Sequence, residues 1–263
     1  MQKISSKDNS LIKHIKKLKE KKYRDEYGEY VIEGLKLIEE AIRENVSILH
    51  IVICDGCDKS EMIDSHLKYA MAKYECIYVP QNIFKLISDV ENPQGILAVI
   101  KKESNEKDIY YNEDIIIALD DVQDPGNVGT ILRTVDSVGL KQILVSKGTA
   151  DCYNPKVVRS TMGAIFRVNI IECEDLKDTL KKAQNNGYKI MCTSLDAKKS
   201  IYEAQYNKKV IVVGNEANGV SKQIKSIADE KVIIPMRGKT ESLNVSVATG
   251  IILYEYVRQI LKK

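Results

Sequence analysis

Short apolar runs recur along the chain, each closing in a polar loop and most followed by a segment whose apolar positions repeat at three and four residues. In the second half this alternation predicts strands at 114–119, 142–145, 167–170, 188–192, 210–213 and 231–234. Helices are predicted at 127–138, 154–163, 175–185, 220–228 and 243–260, the last with Leu243, Val247, Ile251, Tyr254 and Val257 as a buried stripe. The stretch 196–208 carries few signals beyond a short helical or 3₁₀ turn. β-Branched strands alternating with amphipathic helices predict a mostly parallel sheet covered on both faces.

The first half holds a basic helix with Ile12, Ile15 and Leu18 on one face, then an apolar start at 30 that continues with Leu35, Ile38 and Ile42 at helical spacing. A buried-strand pattern at 48–54 precedes a helix over 60–74, a strand at 76–79, a short helix at 81–88 and a strand at 95–100. This describes a compact α/β/α module over 1–100, a polar linker over 101–113, and a larger parallel-sheet domain over 114–263. No internal repeat or low-complexity tract interrupts them.

At 263 residues, 44% hydrophobic and 29% charged, the chain has the composition of a soluble globular protein. No apolar run approaches the roughly 18 residues of a membrane span. The first ten residues carry charge but no apolar core, so they are not an export signal, and a cytoplasmic location is expected. Six cysteines, at 54, 57, 76, 152, 173 and 192, form no dense framework and are expected to be free thiols. Cys54 and Cys57 have metal-ligand spacing, but no second pair follows, so no metal is expected. The three histidines, at 14, 50 and 66, lie outside the glycine-rich segments, which leaves a histidine-based hydrolase little to work with.

The net charge of +3 matters less than its placement. Residues 1–24 hold nine Lys/Arg against Asp8 and Glu20, or +7, leaving −4 for the remainder. Lys13, Lys16 and Lys17 belong to a basic patch suited to neutralising phosphates, unless it is simply a solvated helix face.

Three strand-then-polar-loop segments carry candidate chemistry. The first, NVGTILR at 127–133, follows the run 115–119; Pro125 and Gly126 bend the chain, Asn127 is a candidate cap, and Arg133 has the length to reach back toward the loop. Arg133 is either a structural ion-pair member or a ligand-facing group. The segment has neither the dinucleotide G-x-G-x-x-G spacing nor the P-loop ending. In the second, GNEANG at 214–219, both glycines permit tight backbone geometry and Glu216 offers a carboxylate, although a plain turn explains the glycines equally well. In the third, Met236 suits an apolar pocket wall, and Asn244 and Ser246 stand at the start of the final helix, with Ser242 or Asn244 as its cap.

Together, NVGTILR at 127–133, VVGNEANGVS at 212–221 and IPM at 234–236 with ESLNVSVA at 241–248 resemble the three ordered signature segments of the SpoU/TrmH branch of the SPOUT RNA ribose methyltransferases. RSTMGAIFR at 159–167 resembles that branch too. The context of IEG at 32–34 and PQGILA at 93–98 is similar to the family's ribosomal-protein-like substrate-binding domain, less specifically.

The resemblance implies a trefoil-knotted parallel-sheet α/β catalytic domain, an exception to unthreaded topology, behind a smaller α/β/α RNA-binding domain. It implies homodimers whose sites borrow residues across the interface. S-adenosylmethionine would lie against Thr193, Ser194, Leu195, Gly214, Asn215, Glu216, Ile234, Met236 and Leu243. Arg133, Glu216, Asn244 and Ser246 would lie near the reacting ribose, with Asn127 supporting the loop and Lys13, Lys16, Lys17 and Arg159 available to RNA. The expected reaction is methyl transfer to a ribose 2′-hydroxyl of structured RNA, 23S ribosomal RNA ahead of tRNA. Base methylation and a catalytically silent RNA-binding protein are the rivals.

Overall fold

The computed structural model describes residues 2–56, 71–103 and 108–261. The helix expected over 60–74 lies, up to residue 70, outside them. The chain forms two compact units, one of residues 1–104 with 153–166, the other of 105–152 with 167–263. Hydropathy alone assigns 153–166 to the second unit; its helix instead packs on a strand of the first.

In the first unit the strands are β1 (Gln2–Lys3), β2 (Glu29–Glu33), β3 (Ile48–Asp55), β4 (Cys76–Pro80) and β5 (Ile96–Lys101), in the sheet order β1-β4-β3-β5-β2. β4 pairs parallel with β1 and β3, whereas β5 runs antiparallel to β3 and β2. Helix α1 (Ser10–Lys17) starts at Asn9, whose side chain accepts from Leu11 N at 2.9 Å. Ile12 and Ile15, with Leu18 just beyond, bury one face of α1 and leave its lysines outward. Helices α2 (Lys21–Tyr27), α3 (Leu35–Arg43) and α4 (Gln81–Ile87) complete the cover, the core being Ile12, Ile15, Val52, Ile77, Phe84, Leu97 and their neighbours. Cys76, Cys152, Cys173 and Cys192 are thiols, not disulfides. Cys54 is disulfide-bonded, which corrects the expectation of six free thiols.

The second unit is built on a wholly parallel sheet of β6 (Ile115–Asp120), β7 (Gln142–Ser146), β8 (Asn169–Cys173), β9 (Lys189–Thr193), β10 (Lys199–Ser200), β11 (Lys209–Gly214) and β12 (Glu230–Ile233), ordered β10-β12-β9-β11-β6-β7-β8. Every residue of β6 and β11 is buried, which is why both read as unbroken apolar runs: each strand has neighbours on both edges and cover on both faces. The short β10 falls inside the stretch that carried few sequence signals. Helices α5 (Pro125–Ser137), α6 (Pro155–Thr161, in the first unit), α7 (Leu176–Asn185), α8 (Lys222–Lys225) and α9 (Val245–Ile260) follow in chain order.

Two expectations are corrected here. Asn127 does not cap α5; Asp124 does, its Oδ1 accepting from Asn127 N at 2.9 Å with Pro125 in the first turn. The buried side of α9 is Ser246, Thr249, Ile252, Leu253, Glu255 and Tyr256, rotated from the predicted stripe. Val247 and Tyr254 are 51% and 56% exposed, and Ile251 is half-buried. The helix is apolar on two sides, and periodicity alone cannot choose which side meets the core.

Candidate active site

In the order β12-β9-β11-β6, Gly214 stands level with Asp120, Val212 with Cys192 and Val232 with Thr193. Four parallel strands therefore end along one edge, and the loops that leave them share a crevice outside their carboxyl ends. A cavity of about 590 Å³ opens among the loops after β9, β11 and β12 and the start of α9. Thr193, Ser194 and Leu195 line it from the first loop, Gly214, Asn215 and Glu216 from the second, Ile234 and Met236 from the third, and Leu243 and Asn244 from the approach to α9.

The second loop is closed on itself. Asn215 N donates to Gly219 O at 3.1 Å and Gly219 N returns to Asn215 O at 2.8 Å. Asn215 Oδ1 accepts from Ala217 N and Asn218 N, while its Nδ2 donates to Asp121 O at 2.9 Å and so ties this loop to the one after β6. Gly214 is dictated by contact: a Cβ there would lie 2.1 Å from the carbonyl carbon of Gly219 and from Val220 N. Only glycine lets the returning backbone approach so closely.

Glu216 extends out of this loop and accepts from Gln123 N (3.1 Å), Asp124 N (3.0 Å) and Asn127 Nδ2 (2.9 Å). Burial acts to raise its pKa, but these hydrogen bonds to the ionised form prevail and hold the carboxyl below its ordinary value. Asn127 Oδ1 in turn accepts from Asn244 Nδ2 at 2.9 Å. Asn244 Oδ1 accepts from Ser246 N (2.9 Å), Ser246 Oγ (2.7 Å) and Val247 N (3.3 Å), capping α9. The chain Glu216–Asn127–Asn244–Ser246 thus binds three distant loops into one wall. Glu216 and Asn244 border the cavity; Asn127 and Ser246 are buried behind them.

Arg133 is not brought to this cavity. It sits on the exposed face of α5 with Thr130 and Ser137, outside the residues that line the cavity of its own chain. The reach back toward the opening loop expected from sequence is not made, because six helical residues turn Arg133 away from Asn127. Lys13, Lys16 and Lys17 are exposed on α1. Arg159, on α6, pairs with Asp89 at 3.1 Å within the first unit.

Several lining residues were missed. Asp196, hydrogen-bonded by Ser194 Oγ, with Lys225 and Glu241, adds charge to the cavity rim. The strand-then-polar-loop grammar that singled out the other segments also holds for TSLD at 193–196 and marks it once β9 is recognised. Asp124 carried its own signal, an acidic residue immediately before a proline at a helix start.

Leu195, Ile234, Met236 and Leu243 make an apolar wall, while Asp196, Glu216 and Glu241 supply carboxylates and Lys225 a cation. That donor set and volume suit a drug-sized ligand with a flat heterocycle, a positive centre and a carboxylate, the chemistry of S-adenosylmethionine.

Comparison with known proteins gives the class. Residues 114–254 match the SpoU rRNA Methylase family and residues 9–98 an MRM3-like substrate binding domain. The chain is 31% identical to the 23S rRNA (guanosine(2553)-2'-O)-methyltransferase RlmP of Bacillus subtilis, over 97% of this chain and 98% of that protein. The AdoMet-bound rRNA methyltransferase of Sinorhizobium meliloti superposes with a TM-score of 0.86 at 29% identity, covering 98% of both chains. The SpoU methyltransferase AviRb of Streptomyces viridochromogenes, at 22% identity and a TM-score of 0.87 over 96% of this chain and 98% of that one, shares the fold. The chain belongs to the SpoU rRNA methylase family. It is a methyltransferase that draws on S-adenosylmethionine, and the expected trefoil-knotted α/β fold stands with that membership.

Proposed function

We propose that this protein transfers the methyl group of S-adenosylmethionine to the ribose 2′-oxygen of a nucleotide in large-subunit ribosomal RNA, as a cytoplasmic homodimer. The observation that carries this reading is the hydrogen-bonded chain from Glu216 through Asn127 and Asn244 to Ser246, which closes the family's three signature loops around one cavity. The name of the Bacillus relative supports the 23S target and the 2′-oxygen.

Bound S-adenosylmethionine supplies an electrophilic methyl; a C–O bond forms as the C–S bond breaks, and the hydroxyl proton leaves to water or a polar side chain. The protein's part is orientation. Thr193, Ser194, Leu195, Gly214, Asn215, Ile234, Met236 and Leu243 hold the cofactor, and Glu216 and Asn127 act as positioning residues that fix the wall. Asn244 and Ser246 set the entry to α9 beside the ribose. Arg133 holds the neighbouring phosphate and stabilises charge growing on the 2′-oxygen. It is not the base, because a guanidinium offers donors only and has no acceptor site for the hydroxyl proton.

Arg133 lies away from its own cavity, so this role calls for a second copy. Val247 and Tyr254 on α9 and Leu261 at its C-cap, 51%, 56% and 81% exposed, recur at seven-residue spacing, and α9 packs against the Arg133-bearing α5. An apolar stripe of that kind suits self-association. No helix among the described residues is long and apolar enough to cross a membrane. RNA docking falls to the first unit, through Lys13, Lys16 and Lys17.

The test is transfer of radiolabelled methyl from S-adenosylmethionine to ribosomal RNA, with nuclease digestion of the product. A labelled 2′-O-methyl nucleoside supports the reading; a labelled base points to base methylation, and no label to a silent RNA-binding protein. Transfer to tRNA in preference to ribosomal RNA moves the target. Mapping 2′-O-methyl sites with and without the gene locates the nucleotide.

A further inference from the structure

The first unit has a cavity of its own, about 690 Å³, between α1 and the β1–β4 edge of the sheet. Its wall includes Lys13, His14 and Lys17 from α1, Tyr27 from the end of α2, and His50. His14 packs on Tyr27 with ring centroids 4.7 Å apart, and Tyr23 stacks on Tyr27 at 6.0 Å and 17° between planes. Lys17 and Lys22 stand over the Tyr23 ring at 5.1 and 5.6 Å. His14 Nε2 meets Glu29 Oε2 at 2.6 Å, which fixes the imidazole in place. His50 Nδ1 lies 3.4 Å from Glu75 Oε2, within ion-pair distance but without hydrogen-bond geometry. Three rings in a row, half-buried and bordered by lysines, are more than a solvated basic helix requires.

We propose that this groove receives one unpaired nucleobase of the RNA, stacked on the Tyr27 ring with its edge against His14, whose plane is tilted 43° from that of Tyr27, and with the flanking phosphates on Lys13 and Lys17. The inference rests on the reading that the chain binds RNA, and it adds where and in what form the RNA is held. Stacking needs a flat π face and tolerates any base, while Lys13 and Lys17, one helical turn apart, follow the backbone. The interior of a duplex presents no free base face to such a groove, because each base there is stacked on both sides. The preference is therefore for a single-stranded loop or a flipped-out nucleotide.

Fluorescence anisotropy of the full-length protein with a labelled octauridylate, and with an abasic ribose-phosphate strand of equal length, tests this directly. The natural protein is expected to bind the base-bearing strand at least about fivefold more tightly. Tyr27→Ala should remove that preference while leaving affinity for the abasic strand unchanged, and Tyr27→Phe should keep it. Lys13→Ala with Lys17→Ala should weaken both strands and lower the salt slope by about 1.4, near 0.7 per phosphate lost. Equal binding of the two strands by the natural protein, or equal losses on both in Tyr27→Ala, overturns the proposal. So does displacement of octauridylate by polyglutamate at matched charge, which would make the groove a site for acidic peptide. Methyl transfer to ribosomal RNA without a base preference sinks the groove alone. A base preference without methyl transfer sinks the catalytic reading alone.

Discussion

Asn244 Nδ2 donates to Asn127 Oδ1 at 2.9 Å across 117 positions of sequence. The two amides occupy different layers of the same wall: Asn244 caps α9 with its oxygen, and Asn127 passes its own nitrogen to Glu216. Neither can be replaced without leaving a neighbour's polar atom unpaired, because each bonds through both ends of its amide.

Asn127→Ala is therefore expected to cost about 1–3 kcal/mol of stability and to weaken S-adenosylmethionine binding by loosening two loops at once. Thermal unfolding with and without cofactor, together with calorimetric titration, checks both parts. Unchanged cofactor affinity in a well-folded variant would show that the wall holds without this link.

Gly214→Ala should be more severe, since its Cβ would meet backbone at 2.1 Å and backbone cannot swing aside. A loss of about 3 kcal/mol or more is expected, with cofactor binding abolished. Gly238→Ala is the control: no atom lies within 4 Å of the added carbon, and its φ is not in the left-handed region. Comparable melting temperatures for the two variants would contradict the close approach.

Arg133→Ala should leave S-adenosylmethionine affinity within about twofold of the natural protein while removing most turnover, about 100-fold or more. The proposed contacts of the guanidinium are with the RNA phosphate and the 2′-oxygen, and it does not line the cavity of its own chain, so cofactor affinity is expected to be kept. Mixing Arg133→Ala with Asn127→Ala, once both are shown to be folded, should raise activity above the sum of the two variants alone through mixed dimers; no gain would argue that each chain uses its own arginine.

The pH dependence of the wall follows from Glu216. Its folded pKa is depressed, so the ionised carboxylate stabilises the fold fully above the unfolded value, about 4.3, and that contribution fades as pH falls through the lower folded value. The natural protein should lose melting temperature more steeply than Glu216→Gln on acidification from about pH 5. Parallel slopes would mean that the hydrogen bonds contribute nothing to stability.

At the opposite, amino-terminal end of the strands, Glu230 bridges Lys199 and the nearly buried Lys209. Burial acts to raise the Glu230 pKa, and the two ammonium groups overcome it and hold it low. Glu230→Gln leaves Lys209 without its counter-charge and is expected to destabilise by about 3 kcal/mol. Cofactor affinity measured on the folded variant should not change, which separates this ion cluster from the site.

By itself the sequence determined the longer strands of the second unit, all but the two-residue β10, because a strand buried on both faces must be apolar throughout, as β6 and β11 are. It also marked the loops that follow them, since a chain leaving a buried strand for a cavity needs small and polar residues, and GNEANG and the Asn244 region supply them. It did not determine what each polar group touches. The partner of Asn127 is remote in sequence, the outward face of α9 is as apolar as its inward face, and Arg133 points where helical phase sends it. Those were settled by strand order and helix packing: only when β11 lies beside β6, and α9 against α5, do Glu216, Asn127 and Asn244 come within hydrogen-bonding distance.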